Sequence, residues 1–175
     1  MLTQSLKSTI RDVHDFPKPG IVFKDITPIL ENPVLCNQVT DEFVKMLGHQ
    51  QIDAIAGIES RGFLFGMLLA QKLSKPFLLI RKAGKLPGEV ISKEYALEYG
   101  TAKIEMHTGS VRKGWKVLLH DDLLATGGTV CAAAELVKMQ GGEVAGFSFL
   151  VELDFLHGRD RITAYSSTIH SLIHY

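Results

Sequence analysis

Cysteine is scarce in this sequence. The 175 residues include two cysteines, Cys36 and Cys131. Two thiols are too few for a disulfide framework or a thiolate zinc site, so we expect both to be buried and unreactive. The seven histidines follow no ligand spacing such as HExxH. We therefore assign no metal-ligating side chain from the sequence.

An excess of charge and long apolar runs are missing as well. Nineteen Lys and Arg balance nineteen Asp and Glu, which excludes the basic excess typical of nonspecific nucleic-acid binding. No run reaches the roughly 18 apolar residues that a membrane helix needs, and residues 1–16 lack the apolar segment of a signal peptide. We therefore expect a cytoplasmic protein that binds neither nucleic acid nor membrane.

Apolar blocks alternate along the chain between strand-like and helix-like spacing. The helix-like blocks are 61–74 and 127–142, and the strand-like blocks are 52–58, 76–82, 115–121 and 143–153. This alternation predicts an α/β fold over residues 1–175 as a single domain. We expect a mostly parallel twisted sheet with helices on both faces and with ligands at the carboxyl ends of the strands.

Residues 82–107 interrupt this alternation. They are rich in Gly and Lys, and their two half-alternating runs could pair as a hairpin. Long irregular segments inside compact domains are usually lids or binding loops, which favours a flexible flap over the site. The alternative is a solvated surface excursion.

The stretch VLLHDDLLATGGT, residues 117–129, carries the most specific chemistry. Asp121 and Asp122 close an apolar run, and a loop of small residues and hydroxyls, 125–129, opens the following helix. It contains neither the GxxxxGK[ST] nor the GxGxxG motif. The amides of the loop suit a phosphate, whereas carboxylates suit vicinal hydroxyls. A ribose 5-phosphate satisfies both, and the acids would stabilise positive charge at its anomeric carbon.

This motif resembles the phosphoribosyl-pyrophosphate signature of type I phosphoribosyltransferases. Four further segments resemble the adenine-specific members of that family in the same order: FPKPGIVFKDITPIL (16–30), GIESRGFLFG (57–66), IRKAGKLPG (80–88) and LEYG (97–100). His120 departs from the usual aliphatic residue. The resemblance implies the type I phosphoribosyltransferase fold and the reaction adenine + 5-phosphoribosyl 1-pyrophosphate ⇌ AMP + pyrophosphate, with Mg²⁺ held largely by substrate oxygens and water.

The resemblance also implies the residues that bind phosphoribosyl pyrophosphate. Asp121 and Asp122 would bind the ribose hydroxyls, and the 5-phosphate would be bound by Ala125, Thr126, Gly127, Gly128 and Thr129. The pyrophosphate would be held by Ser60, Arg61, Arg81, Lys82 and Lys85. Arg81 would reach the site of a neighbouring subunit, which implies a homodimer. A highly anionic pyrophosphate needs such cations, and the less favoured alternative for these basic residues is a solvated surface stretch.

For the base, the resemblance implies an N-terminal purine-recognition segment at about 16–30. Val22, Phe23 and Lys24 would bind adenine there, although Phe23 alone could equally be a core residue. Lys24 stands where some family members carry Arg. Glu98, together with Arg61, would be catalytic, with Glu98 as general acid or proton acceptor. An acid beside a tyrosine is otherwise more often a surface residue.

Two other functions stay open. The first is the same transfer to another purine such as xanthine, since base choice depends on a few hydrogen bonds whose directions a sequence does not show. The second, less favoured, is a non-catalytic regulator that senses purine or phosphoribosyl pyrophosphate. Such regulators usually need a DNA-binding module and a basic face, and this sequence offers neither.

Overall fold

The structure, a computed structural model, describes residues 2–97 and 100–175 and divides into two compact units, Met1–Glu42 and Phe43–Tyr175. In the first unit, helix α1 (Leu2–Thr9) precedes two antiparallel strands, β1 (Arg11–His14) and β2 (Val22–Asp25), in which Val13 pairs with Phe23. A short helix, α2 (Thr27–Leu30), follows, and α3 (Pro33–Leu47) runs on into the second unit. Leu6, Ile26 and Ile29 are buried.

The second unit is built on a seven-stranded sheet. Its parallel strands are β3 (Ala54–Ile58), β4 (Phe77–Lys82), β7 (Lys116–Leu124), β8 (Glu143–Glu152) and β9 (Ile169–His174). A hairpin of β5 (Val90–Ala96) and β6 (Thr101–His107) extends one edge, in the order β5-β6-β4-β3-β7-β8-β9. The prediction of a mostly parallel sheet is confirmed.

Helices cover both faces of this sheet. Helix α4 (Gly62–Leu73) packs on β3, β4 and β7, and helix α5 (Gly128–Met139) packs on β5 to β8. All five residues of β3 are buried, as a strand covered on both sides requires. Gly57 allows this packing because a Cβ atom there would overlap the ring of Phe77. The helices predicted over 61–74 and 127–142 are therefore confirmed, with slightly shorter bounds.

The segment 82–107 forms the predicted hairpin, but its base belongs to the sheet. β5 and β6 pair antiparallel from Val90 opposite His107 to Ala96 opposite Thr101. β6 also pairs with β4, and Ile104 and Met106 are buried in the core. The base of the segment 82–107 is therefore part of the core of the unit, where Glu105 is buried as well. Movement of the rest of the hairpin stays a prediction.

Two other expectations concern the whole chain. No helix within residues 2–97 and 100–175 is both long and apolar enough to cross a membrane. That residues 1–175 form a single domain stays a prediction.

Candidate active site

Asp121 and Asp122 lie near the carboxyl end of strand β7, in the interior of the sheet. The strand continues past them to Leu124, three residues beyond the predicted end, because Leu123 and Leu124 still pair with Val151 and Glu152 of β8. Asp121 is half-buried, and Asp122 is 3% exposed. The Asp121 Oδ1 atom accepts the backbone N–H of Asp122 at 2.9 Å. The Asp121 carboxyl group is thus held against the backbone of Asp122, and both acids lie in a poorly solvated place.

This burial makes the charged forms of both acids costly. Burial raises the pKa of Asp121 well above its ordinary value of 3.8, and the neighbouring Asp122 carboxylate raises it further. Burial also raises the pKa of Asp122, while the charge of Arg61 acts in the opposite direction. Arg61 Nε lies 3.0 Å from Asp122 Oδ2. A ligand that brings hydroxyl donors or positive charge to these carboxylates would offset the cost.

The loop after β7 leads directly into helix α5. Gly127 has a left-handed φ of +80° and Gly128 and Thr129 begin the helix. A Cβ atom at Gly127 would lie 2.9 Å from the carbonyl oxygen of Gly158. The first N–H groups of a helix have no partner within the helix and can bind an anion. The structure thus confirms the predicted strand, loop and helix at this place, and anion binding by the loop stays a prediction.

A short helix, α6 (Gly158–Ile162), supports this loop, and the sequence analysis missed it. Gly158 packs so tightly on the loop that a Cβ atom would overlap the carbonyl oxygen of Ala125. The next residue, Arg159, donates two hydrogen bonds to buried Glu152, at 2.8 and 2.6 Å, and Ser171 donates a third at 2.5 Å. Burial acts to raise the pKa of Glu152, but these bonds outweigh it and lower the pKa. The GRDR letters at 158–161 carry no periodic signal that would have revealed the helix.

The predicted pyrophosphate residues lie after two neighbouring strands. Ser60 and Arg61 form the turn between β3 and α4, and the Glu59–Ser60 peptide bond is cis. Arg81 and Lys82 end β4, and Lys85 follows them in the chain. Because β3 and β4 are parallel and adjacent, their ends lie together at one edge of the sheet.

Glu59, which the sequence analysis did not select, joins these two basic segments. Its carboxylate accepts Arg81 Nε at 3.2 Å, Arg81 Nη2 at 3.4 Å and the backbone N–H of Lys82 at 2.8 Å. Arg81 Nη1 also donates to the Lys85 carbonyl at 3.0 Å. Burial acts to raise the pKa of Glu59, but the bonds from Lys82 and Arg81 lower it overall. Within one chain, Glu59 therefore orders the start of the hairpin segment.

The predicted adenine residues lie in the first unit, and the predicted general acid is not described. Val22, Phe23 and Lys24 are on β2. The Phe23 ring meets the edge of Phe16 with ring centroids 5.2 Å apart, and Lys24 Nζ lies 2.7 Å from Asp12 Oδ1. Glu98 lies outside the described residues. The roles of all four residues stay predictions.

One group of side chains in the described chain has the spacing of metal ligands. Glu152, Asp154 and His174 offer atoms within 4.8 Å of one another. The Arg159 guanidinium already binds both oxygens of Glu152, so a cation here would lie beside a positive charge. We therefore assign no metal to this group.

Comparisons with known proteins find relatives of this chain over nearly its whole length. A family model described as a phosphoribosyl transferase domain matches residues 26–173. An adenine phosphoribosyltransferase of Cytophaga hutchinsonii is 53% identical over 175 residues, which cover 100% of this chain and 97% of that protein.

Two solved structures are similar over nearly their whole length. The adenine phosphoribosyltransferase of Thermoanaerobacter pseudethanolicus has a TM-score of 0.96 and 47% identity, with 100% of both chains covered. The Saccharomyces cerevisiae enzyme, complexed with an imino-altritol bisphosphate and adenine, has a TM-score of 0.91 and 39% identity, with 98% of both chains covered.

Proposed function

The chain belongs to the adenine phosphoribosyltransferase family, and from this membership we propose that it catalyses adenine + 5-phosphoribosyl 1-pyrophosphate ⇌ AMP + pyrophosphate, a pentosyl transfer of purine salvage. The observation that carries the proposal is the junction of β7 and α5, where the half-buried Asp121 and the buried Asp122 lie shortly before a loop suited to a phosphate. A ribose 5-phosphate has the hydroxyls and the phosphate that these two features need.

The acids and the loop bind different groups of the sugar phosphate. The N–H groups at the start of α5, with the hydroxyls of Thr126 and Thr129, bind the 5-phosphate. Asp121 and Asp122 accept the ribose hydroxyls. As the bond from the anomeric carbon to pyrophosphate breaks, positive charge develops on the ring, and the carboxylates stabilise it in their poorly solvated surroundings. The base displaces pyrophosphate with inversion at this carbon.

The departing pyrophosphate needs positive charge at the ends of β3 and β4. Ser60, Arg61, Arg81, Lys82 and Lys85 supply donors and cations there. Mg²⁺, when held by substrate oxygens and water, would supply further positive charge to the departing pyrophosphate. We assign it no protein ligand, since the one described carboxylate and histidine group is occupied by Arg159.

Adenine binding and closure complete the proposed mechanism. The purine is bound by Val22, Phe23 and Lys24, and the Phe23 side chain packs on the purine ring. Glu98 acts as general acid or proton acceptor on the imidazole side of the purine. The hairpin β5-β6 closes over the reactants and excludes water, which would otherwise capture the cationic sugar.

The active unit of the proposal is a cytoplasmic homodimer. Leu64, Met67 and Leu68 lie three and four positions apart on α4, so they share a face, and they are 41%, 51% and 38% exposed. Leu79 of β4 is 38% exposed, and Arg81, two residues further on, points to the same side of the sheet. A second copy that covered Leu79 would lie near Arg81, and the exposed face of α4 offers further apolar contact area.

A steady-state assay with adenine, hypoxanthine, guanine and xanthine tests the proposal. Each base is supplied with phosphoribosyl pyrophosphate and Mg²⁺, and both nucleotide and pyrophosphate are measured. We expect kcat/KM to be highest for adenine by a wide margin. A higher value for another base would reassign the substrate, and no turnover with any base would support a sensing role.

A further inference from the structure

The proposed 5-phosphate loop has no positive side chain of its own. Residues 125–129 are Ala, Thr, Gly, Gly and Thr. A phosphate monoester carries a charge of about −2 near neutral pH, and the start of a helix offers only about half an elementary charge. Two poorly solvated acids also lie in the same segment. A cation from elsewhere in the chain would balance this charge.

Arg161 of α6 is placed to be that cation. Its Nη1 atom donates to the carbonyl of Thr126 at 3.1 Å. The same atom lies 3.9 Å from the point that a Cβ atom of Gly128 would occupy, beside the first turn of α5. Burial raises the pKa of the Cys131 thiol in that turn, and the Arg161 charge acts against this rise. The field of the guanidinium therefore reaches the first turn of α5, whose N–H groups would bind the phosphate in the proposed function.

The position of Arg161 is fixed by its neighbours. Gly158 packs directly on Ala125, and Arg159 is anchored by two hydrogen bonds to buried Glu152. The two arginines of α6 thus make different contacts. Arg159 is half-buried and bound to Glu152, whereas Arg161 is exposed and lies against the loop.

We propose that Arg161 is a further binding residue for the 5-phosphate of phosphoribosyl pyrophosphate and AMP, and that it supplies the positive charge that the loop lacks. The inference rests on the proposed function and deepens it. A planar guanidinium has five N–H donors, so the bond to Thr126 leaves others to reach a phosphate oxygen.

Binding of AMP and of adenosine separates a phosphate contact from a general effect on the site. Dissociation constants are measured by calorimetry for the wild-type chain, Arg161→Gln, Arg161→Lys and the charge reversal Arg161→Glu. The matched control is Arg112→Gln, which removes the same charge from an exposed arginine stacked on Trp115, in the connection before β7 at the other end of the sheet.

We expect Arg161→Gln to weaken AMP binding about tenfold and to leave adenosine binding unchanged. Arg161→Glu should weaken AMP further, Arg161→Lys should recover most of the affinity, and Arg112→Gln should match the wild type. Added salt should weaken AMP binding less in Arg161→Gln than in the wild type. Melting temperatures of all variants show that each is folded.

Three results would overturn the inference. They are unchanged AMP binding in Arg161→Gln and Arg161→Glu, an equal loss for AMP and adenosine, and an equal loss in Arg112→Gln. A wild-type chain that binds neither AMP nor phosphoribosyl pyrophosphate would instead overturn the proposed function itself.

Discussion

At the scale of single residues, the two acids of β7 serve the proposed reaction at the expense of stability. Replacing both Asp121 and Asp122 by Asn keeps their shape and removes their charge. We expect kcat/KM to fall by a factor of about 10² or more, because stabilisation of the cationic sugar is lost. Steady-state kinetics on the folded double variant measure this. Turnover close to that of the wild type would show that the charges do not act in the reaction.

The change Asp121→Asn alone separates the charge from the shape. Because the pKa of Asp121 is raised in the folded state, its ionised form lowers stability above the ordinary pKa of 3.8, and the penalty disappears below it. Asn still offers an oxygen to the backbone N–H of Asp122. We therefore expect Asp121→Asn to raise Tm at pH 7, and the gain to shrink as the pH falls towards 3.8. A Tm that drops equally at every pH would contradict this account.

His120 is the opposite case, a buried base kept neutral. Its Nδ1 atom lies 2.8 Å from Ser148 Oγ, its ring meets the edge of Phe43, and Nε2 is buried without a hydrogen-bond partner among the described residues. Burial lowers the pKa of His120 from 6.5 to about 3. Its contribution to stability is therefore present above pH 6.5 and is lost as the pH falls from 6.5 towards 3.

A paired substitution tests this contribution. The double variant His120→Val with Ser148→Ala removes the base and its partner together, so no hydroxyl is left unpaired. Between pH 7 and pH 4.5 the wild type should lose about 2–3 kcal/mol more unfolding free energy than the double variant, at about 1.4 kcal/mol for each pH unit below 6.5. Urea unfolding at both pH values measures it, and parallel losses would rule out His120 as the cause.

At the scale of elements, the hairpin β5-β6 is the part expected to respond to ligand. Lys85, before the hairpin, is exposed, whereas Ile104 and Met106 at its base are buried. Limited trypsin digestion should cut between Lys82 and Lys103 in the free protein. The cuts should slow markedly with phosphoribosyl pyrophosphate, Mg²⁺ and an unreactive purine.

The exposed Arg112 and Lys113, in the connection before β7, provide an internal control for this digestion. Cutting there should keep its rate when ligand is added. A digestion with pyrophosphate alone distinguishes direct protection of Lys85 by the bound anion from closure of the hairpin. Only closure of the hairpin protects Lys93 within β5. Equal rates at Lys93 with and without the full ligand set would argue against a lid.

The elements that the sequence predicted are those whose apolar residues follow the spacing of a strand or a helix. The AIAGI run indicates a buried strand, β3, and the apolar spacing of α4 and α5 indicates two helices. The sequence therefore predicts the positions of all three. α6 has five residues, and contacts from Glu152 and Ala125 hold it in place, which no local pattern reports. For the same reason Glu59 was missed, since its partners Arg81 and Lys82 lie more than twenty residues away.

At the scale of the whole molecule, the shared-site proposal for Arg81 is the sharpest to test. Arg81 is bound to Glu59 within its own chain. We expect Arg61→Ala and Arg81→Ala to be nearly inactive when each is alone. If Arg81 serves the neighbour's site, unfolding the two variants together and refolding them gives mixed dimers in which one site has both arginines, and activity returns.

Differential tags on the two chains show that mixed dimers have formed. Each variant refolded alone is the control for regained activity. Inactive mixed dimers would mean that Arg81 acts in its own chain, while the proposed reaction would stand.

The order of the strands has a consequence for how the chain can be divided. β4, β3 and β7 are neighbours in the sheet, yet the groups at their ends come from residues 59–61, 81–85 and 121–129. The connection between β6 and β7, residues 108–115, contributes none of them. A chain cut there yields one fragment with the proposed pyrophosphate cations and another with the ribose acids and phosphate loop. Neither fragment could bind the whole substrate alone. Activity after mixing would therefore show directly that the two fragments had assembled into one sheet.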